Sequence, residues 1–381
     1  MESNRIDQST SDLMDVLRGG SALVVAVVHA FQVFILPYCG LGTAPHLYTS
    51  FLATHAVTIF FVVSGFMICL SVFRHQKAGE FDDIGFAKAR VFRIYPPLIA
   101  ALLITILVYL TISGLALHGS ESYRLGGELA VSRENVKLEW SSLPSTFFLL
   151  YGAVPHVPPP INMDGPLWTL GYEWWFYILV FLTVRLSNGM SFRTIAPLLI
   201  VAVMLIVGRN GLFFRFLVVW LSGYALGYAY MTGRLFLPNA SVVLLLIIAA
   251  LVAATLAIGD TANLLLHPFD TSPGQNLMVI IGTSIAVCVA FALRFRDHLQ
   301  FPQWLCGTAA FSYTLYVIHF PLLLLAYSLL HPVVHGHNWA VAAFFALLAG
   351  LPIIYISAML AHFVEDRRSI LGWRKLKREQ H

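Results

Sequence analysis

Ten stretches of this chain are apolar over lengths close to what a lipid bilayer demands of a helix. A helix crosses the ~30 Å hydrocarbon core in about 20 residues. Such runs fall at approximately 16–37, 51–73, 95–114, 167–186, 194–208, 212–231, 241–258, 275–294, 309–330 and 339–362. The fifth is short and 144–152 reads as a re-entrant or interfacial piece, so counts of nine and eleven stay open. Only 11% of the 381 residues are charged, whereas 58% are hydrophobic. Soluble domains carry roughly 25% charged residues, so this surface is suited to lipid rather than water. The expected fold is all-α: one polytopic transmembrane helical bundle over residues 1–366 followed by a basic tail, 367–381.

The basic residues orient the bundle. Cytoplasmic connections of membrane proteins are enriched in Lys and Arg. With the N-terminus inside, only Arg124, Arg133, Lys137, Arg209 and Arg215 of the 23 basic residues fall outside. Both termini are therefore expected in the cytoplasm. The longest connection, 115–166, then lies outside and reads as a partly ordered cap or a plain linker. It carries mixed charges and ends in the Pro-rich run Pro155 to Pro160. The first apolar run is too long for a signal peptide's hydrophobic region and is expected to stay as an uncleaved span. Cys39, Cys69, Cys288 and Cys306 match no metal or disulfide spacing. No phosphate-binding loop of the Walker type is present, which argues against an ATP-driven pump. Neither a metal nor a nucleic-acid partner is expected.

Ionisable side chains inside a bilayer are costly and mark functional sites by default. Arg18 opens the first span, and His29 stands about 16 Å further along the helix, near mid-membrane. A neutral imidazole there suits proton removal from a hydroxyl, although a hydrogen-bonded core histidine would look the same in sequence. Lys88, Arg90 and Arg93 precede the third span. The two arginines share a helix face and suit bidentate phosphate binding, or equally a headgroup contact. The fourth span opens with Trp168, Tyr172 and Glu173. The aromatics suit an interfacial belt, but Glu173, roughly 10 Å inside, must be paired, protonated or facing a polar cavity. Tyr313 and His319 lie in the ninth span, with Pro321 freeing a backbone carbonyl nearby. His55 is a weaker candidate in the second span. His29, Glu173 and His319 reach similar depths from three helices, as a buried polar site requires.

Taken in order, these residues resemble the membrane-bound acyltransferase-3 family of bacterial O-acyltransferases. The resemblance rests on Arg18 with His29, the run Phe60 to Phe66, Arg90 and Arg93 before Ile94-Tyr95-Pro96, Trp168-Thr169-Leu170 with Glu173, and Ser312-Tyr313 through His319 and Pro321. It spans the chain from about Asp15 to Phe363. The resemblance implies a multi-pass protein of the bacterial inner (plasma) membrane. Its implied reaction moves an acyl group, usually acetyl, from acyl-coenzyme A to a hydroxyl of a saccharide or glycoconjugate. By that likeness His29 is the catalytic base, with Arg18 supporting the first helix or the donor, while the depth of Glu173 suits it to orient an imidazole or the acceptor. Arg90, Arg93 and Lys88 hold coenzyme A phosphates, and Trp168, Tyr172, Tyr313 and His319 contact substrate. Some relatives carry a C-terminal esterase-like domain. Here a short basic tail stands in its place, so a second transfer step is expected to need another protein.

Direct attack by the acceptor is the favoured route, with an acyl-enzyme on Ser64 or Ser312 left open. The rival is a proton-coupled transporter of a small polar or acylated compound, since buried His and Glu also serve proton coupling. A silent membrane scaffold ranks last, having no use for mid-membrane ionisable groups. Acceptor, acyl length and oligomeric state are not readable from the sequence.

Overall fold

The computed structural model describes residues 6–39, 43–77, 80–118, 136, 138–187, 189, 192–208, 210–235 and 272–365. Among them, 8 helices are long and apolar enough to cross a membrane. The long helices are α1 (Gln8–Phe34), α2 (Ala44–His75), α3 (Asp83–Gly114), α4 (Trp168–Ser187), α5 (Phe192–Gly208), α6 (Gly211–Met231), α7 (Ser272–Arg294), α8 (Ser312–Val334) and α9 (Trp339–Val364). The protein is thus a multi-pass membrane protein of helical architecture. Its one sheet among the described residues is a two-stranded ladder, Gln76–Lys77 against Glu80–Phe81. α5 is the shorter helix the sequence suggested. The expected span 241–258, residues 119–135 of the long connection and the tail 367–381 lie outside the described residues.

α1, α2 and α3 begin well before their apolar runs, α2 at Ala44. α1 starts at Gln8, where the Asp7 carboxylate accepts from the Thr10 backbone N–H at 2.8 Å. α3 starts at Asp83 under an Asp82 cap that accepts from Gly85 N–H at 2.9 Å. Such side chains satisfy N–H groups that the first turn leaves unpaired. α3 then runs through Pro96 and Pro97. Each proline lacks the N–H that would reach back four residues, so the carbonyls of Phe92 and Arg93 lose their helical donors at the turn that carries the arginine. The interfacial piece at 144–152 is a helix of one and a half turns, Ser142–Phe147, too short to cross. It folds back on α4, where Trp175 Nε1 donates to the Leu149 carbonyl at 2.8 Å.

Small residues decide the closest packing. α2 and α6 touch along Gly65, Gly223 and Gly227. A Cβ at Gly223 would overlap the Val62 carbonyl oxygen, and one at Gly65 the Trp220 carbonyl oxygen. In lipid no hydrophobic force drives helices together, so such backbone approach supplies van der Waals contact in its place. Beside this seam Phe61, Phe176, Phe213, Phe216 and Trp220 form an aromatic core between α2, α4 and α6. α8 is the central helix. Every residue from Ser312 to Pro321 is buried, against α1, α3 and α9. One end of the bundle is tied by ion pairs, Arg296–Asp7 at 2.9 Å and Arg185–Asp83 at 2.7 Å.

Candidate active site

The arginine-bearing end of the bundle opens into a cavity of about 900 Å³ between α1, α2, α3, α4 and α8. Arg18, Arg74, Lys88, Arg90 and Arg93 line it, with Glu173 further in. Lys88 and Arg74 lie exposed at the rim. Arg90 donates from Nη2 to Ser71 Oγ at 3.3 Å, and its Cζ lies 5.5 Å from the ring centres of both Phe86 and Tyr177. Arg93 sits 4.7 Å above the Tyr313 ring and pairs with Glu365 at 3.6 Å. Arg18 donates to the Ala309 carbonyl at 3.0 Å, which ties α1 to the turn before α8.

Glu173 is not left bare in the bilayer. Ser64 Oγ donates to its Oε1 at 2.6 Å, and the Tyr177 hydroxyl donates to the same oxygen over a very short contact. Trp220 Nε1 in turn donates to Ser64 Oγ at 3.1 Å. A buried carboxylate needs such donors, because desolvation without them costs several kcal/mol. The Tyr313 hydroxyl, buried at the cavity wall, has no hydrogen-bond partner among the described residues.

His29 and His319 meet. His29 Nδ1 is 2.7 Å from His319 Nε2, and His319 Nδ1 is 2.9 Å from the Leu315 carbonyl. A carbonyl can only accept, so His319 carries its proton on Nδ1 and offers the Nε2 lone pair. In the uncharged pair His29 must then donate from Nδ1, which leaves its Nε2 lone pair free to take a proton. The carbonyl that Pro321 frees is that of Val317, two residues past the Leu315 carbonyl that His319 itself bonds. The histidine is therefore not simply filling the proline's vacancy. Phe320 closes one side of His29, edge-on at 5.1 Å.

The cavity and the histidine pair are separated by Tyr316, which lines the cavity and whose ring centre lies 6.2 Å from that of His319. Thr169 Oγ1 donates to the Tyr316 hydroxyl at 3.1 Å, and Phe60 packs 5.2 Å from its ring.

The other sequence candidates fall elsewhere. Trp168 and Tyr172 point into the aromatic core, Tyr172 being 1% exposed and 5.1 Å from the Trp168 ring. His55 bonds the Phe51 carbonyl of its own helix at 2.6 Å. Ser312 Oγ donates to the Ala309 carbonyl at 3.0 Å. Glu173, expected to orient an imidazole or the acceptor, partners Ser64 and Tyr177, while His319 partners His29.

Three residues escaped sequence reading. Trp220 and Glu365 reach their partners from distant helices, and no local pattern announces either. Asp164 is fully buried in a turn just before α4, with Thr105 Oγ1 at 3.5 Å from its carboxylate. An acid directly ahead of Gly-Pro and an apolar run was the signal available for it.

The family model described as an acyltransferase domain, that of the acyltransferase-3 family, matches residues 12–359. The chain belongs to that family. It is a membrane acyltransferase, and the site described above lies wholly within the matched stretch except for Glu365. No curated protein and no solved structure matches the chain.

Proposed function

We propose that this acyltransferase moves an acyl group, acetyl by preference, from acyl-coenzyme A at the cytoplasmic face to a hydroxyl of a saccharide or glycoconjugate. The acceptor enters from the opposite face of the bacterial inner membrane. The observation that carries the reading is the relay from the Leu315 carbonyl through His319 to His29, which leaves His29 Nε2 as a lone pair within the bundle. A base so presented fits deprotonation of an alcohol.

The donor side supports it. A cavity of about 900 Å³ flanked by five cations fits an anionic, extended ligand. Guanidiniums recognise phosphate bidentately, and Arg90, Arg93 and the rim residue Arg74 supply that chemistry, with Lys88 adding a point charge at the rim. The pantetheine arm runs inward past Glu173 toward Tyr316, bringing the thioester to the barrier between cavity and base. Tyr316 must swing aside for the acyl carbonyl to meet the acceptor. The Tyr313 hydroxyl is placed to bond an oxygen of the arm or the thioester.

The test is transfer of label from acyl-labelled coenzyme A to glycan in membrane vesicles. His29→Ala should lower kcat by a factor on the order of 10² to 10⁴, the usual weight of a general base. Arg90→Ala should raise the donor KM and leave kcat close to wild type. Full activity in His29→Ala refutes the assignment.

A further inference from the structure

Arg93 does not hold its place alone. Glu365, one residue past α9 and outside the stretch matched to the family, reaches it across the bundle end. The Glu365 side chain is 9% exposed, and its Oε2 lies 3.6 Å from Arg93 Nη1. Its other oxygen is pinned: the Thr314 backbone N–H donates to Oε1 at 2.7 Å and the Thr314 hydroxyl at 2.6 Å. The N–H belongs to the first turn of α8, where helical donors lack partners and negative charge is favoured. The carboxylate is therefore anchored to α8 through Oε1, and its other oxygen faces α3.

Arg93 is held on two sides by this arrangement. Tyr313 lies beneath the guanidinium, its ring centre 4.7 Å from Cζ, and bounds it on that side. The Glu365 contact draws the Nη1 end toward the start of α8. A guanidinium has five N–H donors, and only Nη1 faces Glu365, at ion-pair distance. The remaining donors stay available along the cavity wall that Arg93 lines. We propose that Glu365 is a positioning residue of the donor site, which holds the Arg93 fork at the orientation that receives a phosphate of the acyl donor. This rests on the donor reading given above. It also gives the end of α9 a task in binding, since loss of the Glu365 clamp would free Arg93 to rotate without unfolding any helix.

The test uses the full chain in lipid nanodiscs, with coenzyme A binding followed by calorimetry. Glu365→Gln keeps an oxygen for both Thr314 donors and removes the charge. It should weaken binding about tenfold, the weight of one hydrogen bond to a charged group. Arg93→Gln should weaken binding as well, and adding Glu365→Gln to it should cost nothing more, because the glutamate acts through the arginine. A melting curve matching wild type shows that the fold is intact. Should Glu365→Gln fail to fold, Glu365→Asp retains the charge but shortens its reach, and the same non-additivity with Arg93→Gln is expected at a smaller size. Unchanged or tighter binding in the single variant, or losses that add in the double variant, overturn the positioning role while leaving the donor reading intact. A wild-type protein that does not bind coenzyme A overturns the donor reading and this role with it.

Discussion

Replacing His319 with leucine isolates one hydrogen bond and asks what it does for His29 as the proposed base. His29 donates from Nδ1 to His319 Nε2 over 2.7 Å, and His319 itself is fully buried. Leucine fills a comparable volume but accepts nothing. In the variant the reactive tautomer of His29 must bury an unpaired N–H, which costs about 1–3 kcal/mol. At roughly 1.4 kcal/mol per tenfold change, the fraction of His29 with a free Nε2 lone pair falls by about 5- to 150-fold. kcat should fall by the same factor, while the donor KM stays near wild type because the cavity cations are untouched. His319→Gln offers an amide oxygen in place of Nε2 and should recover much of the loss. The assay is the vesicle transfer reaction at saturating donor, with the melting temperature of each variant as a control on folding. Wild-type kcat in His319→Leu would refute the tautomer argument. So would equal losses in the leucine and glutamine variants, because these differ in the acceptor that the argument depends on.

Two other outcomes follow from parts of the molecule away from the chemistry. Gly223→Leu places a side chain where the Val62 carbonyl oxygen stands, so α2 and α6 should separate and the detergent-solubilised protein should lose its monodisperse peak in size exclusion; a folded, active variant would show that this seam is dispensable. His118 stacks on His331 at 3.5 Å, and burial first, then repulsion from His331 and His335, pushes its pKa down to about 4. Below the ordinary value of 6.5 the unfolded chain therefore binds a proton that the native state refuses. Stability should be flat above that pH and fall as pH drops from about 6.5 toward 4. His118→Gln should flatten the melting-temperature profile across that window, and an unchanged slope would locate the acid sensitivity elsewhere.

Apolar length alone located most of the helix bodies, because a bilayer imposes one requirement on every span. It missed the starts of α1, α2 and α3. The first turns of α1 and α3, Gln8 to Asp15 and Asp83 to Arg93, are amphipathic rather than apolar, and their start signal is a capping aspartate at Asp7 or Asp82. Pro96-Pro97 also reads as a boundary, since the residue before a proline disfavours helix, yet α3 passes through both. Of the site, depth along a helix was enough to place His29 and His319 at one level, since a fixed rise per residue converts sequence number into height. Height says nothing about which faces meet. Glu173 shares its helix with Tyr177 but takes Ser64 from α2, and Arg93 takes Glu365 from the far end of the chain. Those choices are set by rotation and crossing angle, which a single sequence does not encode in any local pattern. Trp168 and Tyr172 show the same limit: the motif is visible, but the side of α4 on which each residue falls is not.

The histidine relay ends on a peptide carbonyl, and this shapes how the proton must travel. A base anchored on a carboxylate would keep a counter-charge ready for the imidazolium that forms when the acceptor gives up its proton. Here the resting relay is electrically neutral, so it imposes no ion-desolvation penalty inside the bundle. The same neutrality leaves the imidazolium without a fixed anion once it forms. In the proposed transfer the nearest incipient anion is the departing thiolate, and handing the proton to it restores the neutral pair in the same turnover. The relay is thus loaded and unloaded within one catalytic cycle, and a donor whose leaving group needs no proton would strand the charge. Because the anchor is main chain, no substitution at Leu315 removes it so long as α8 stays helical at that turn.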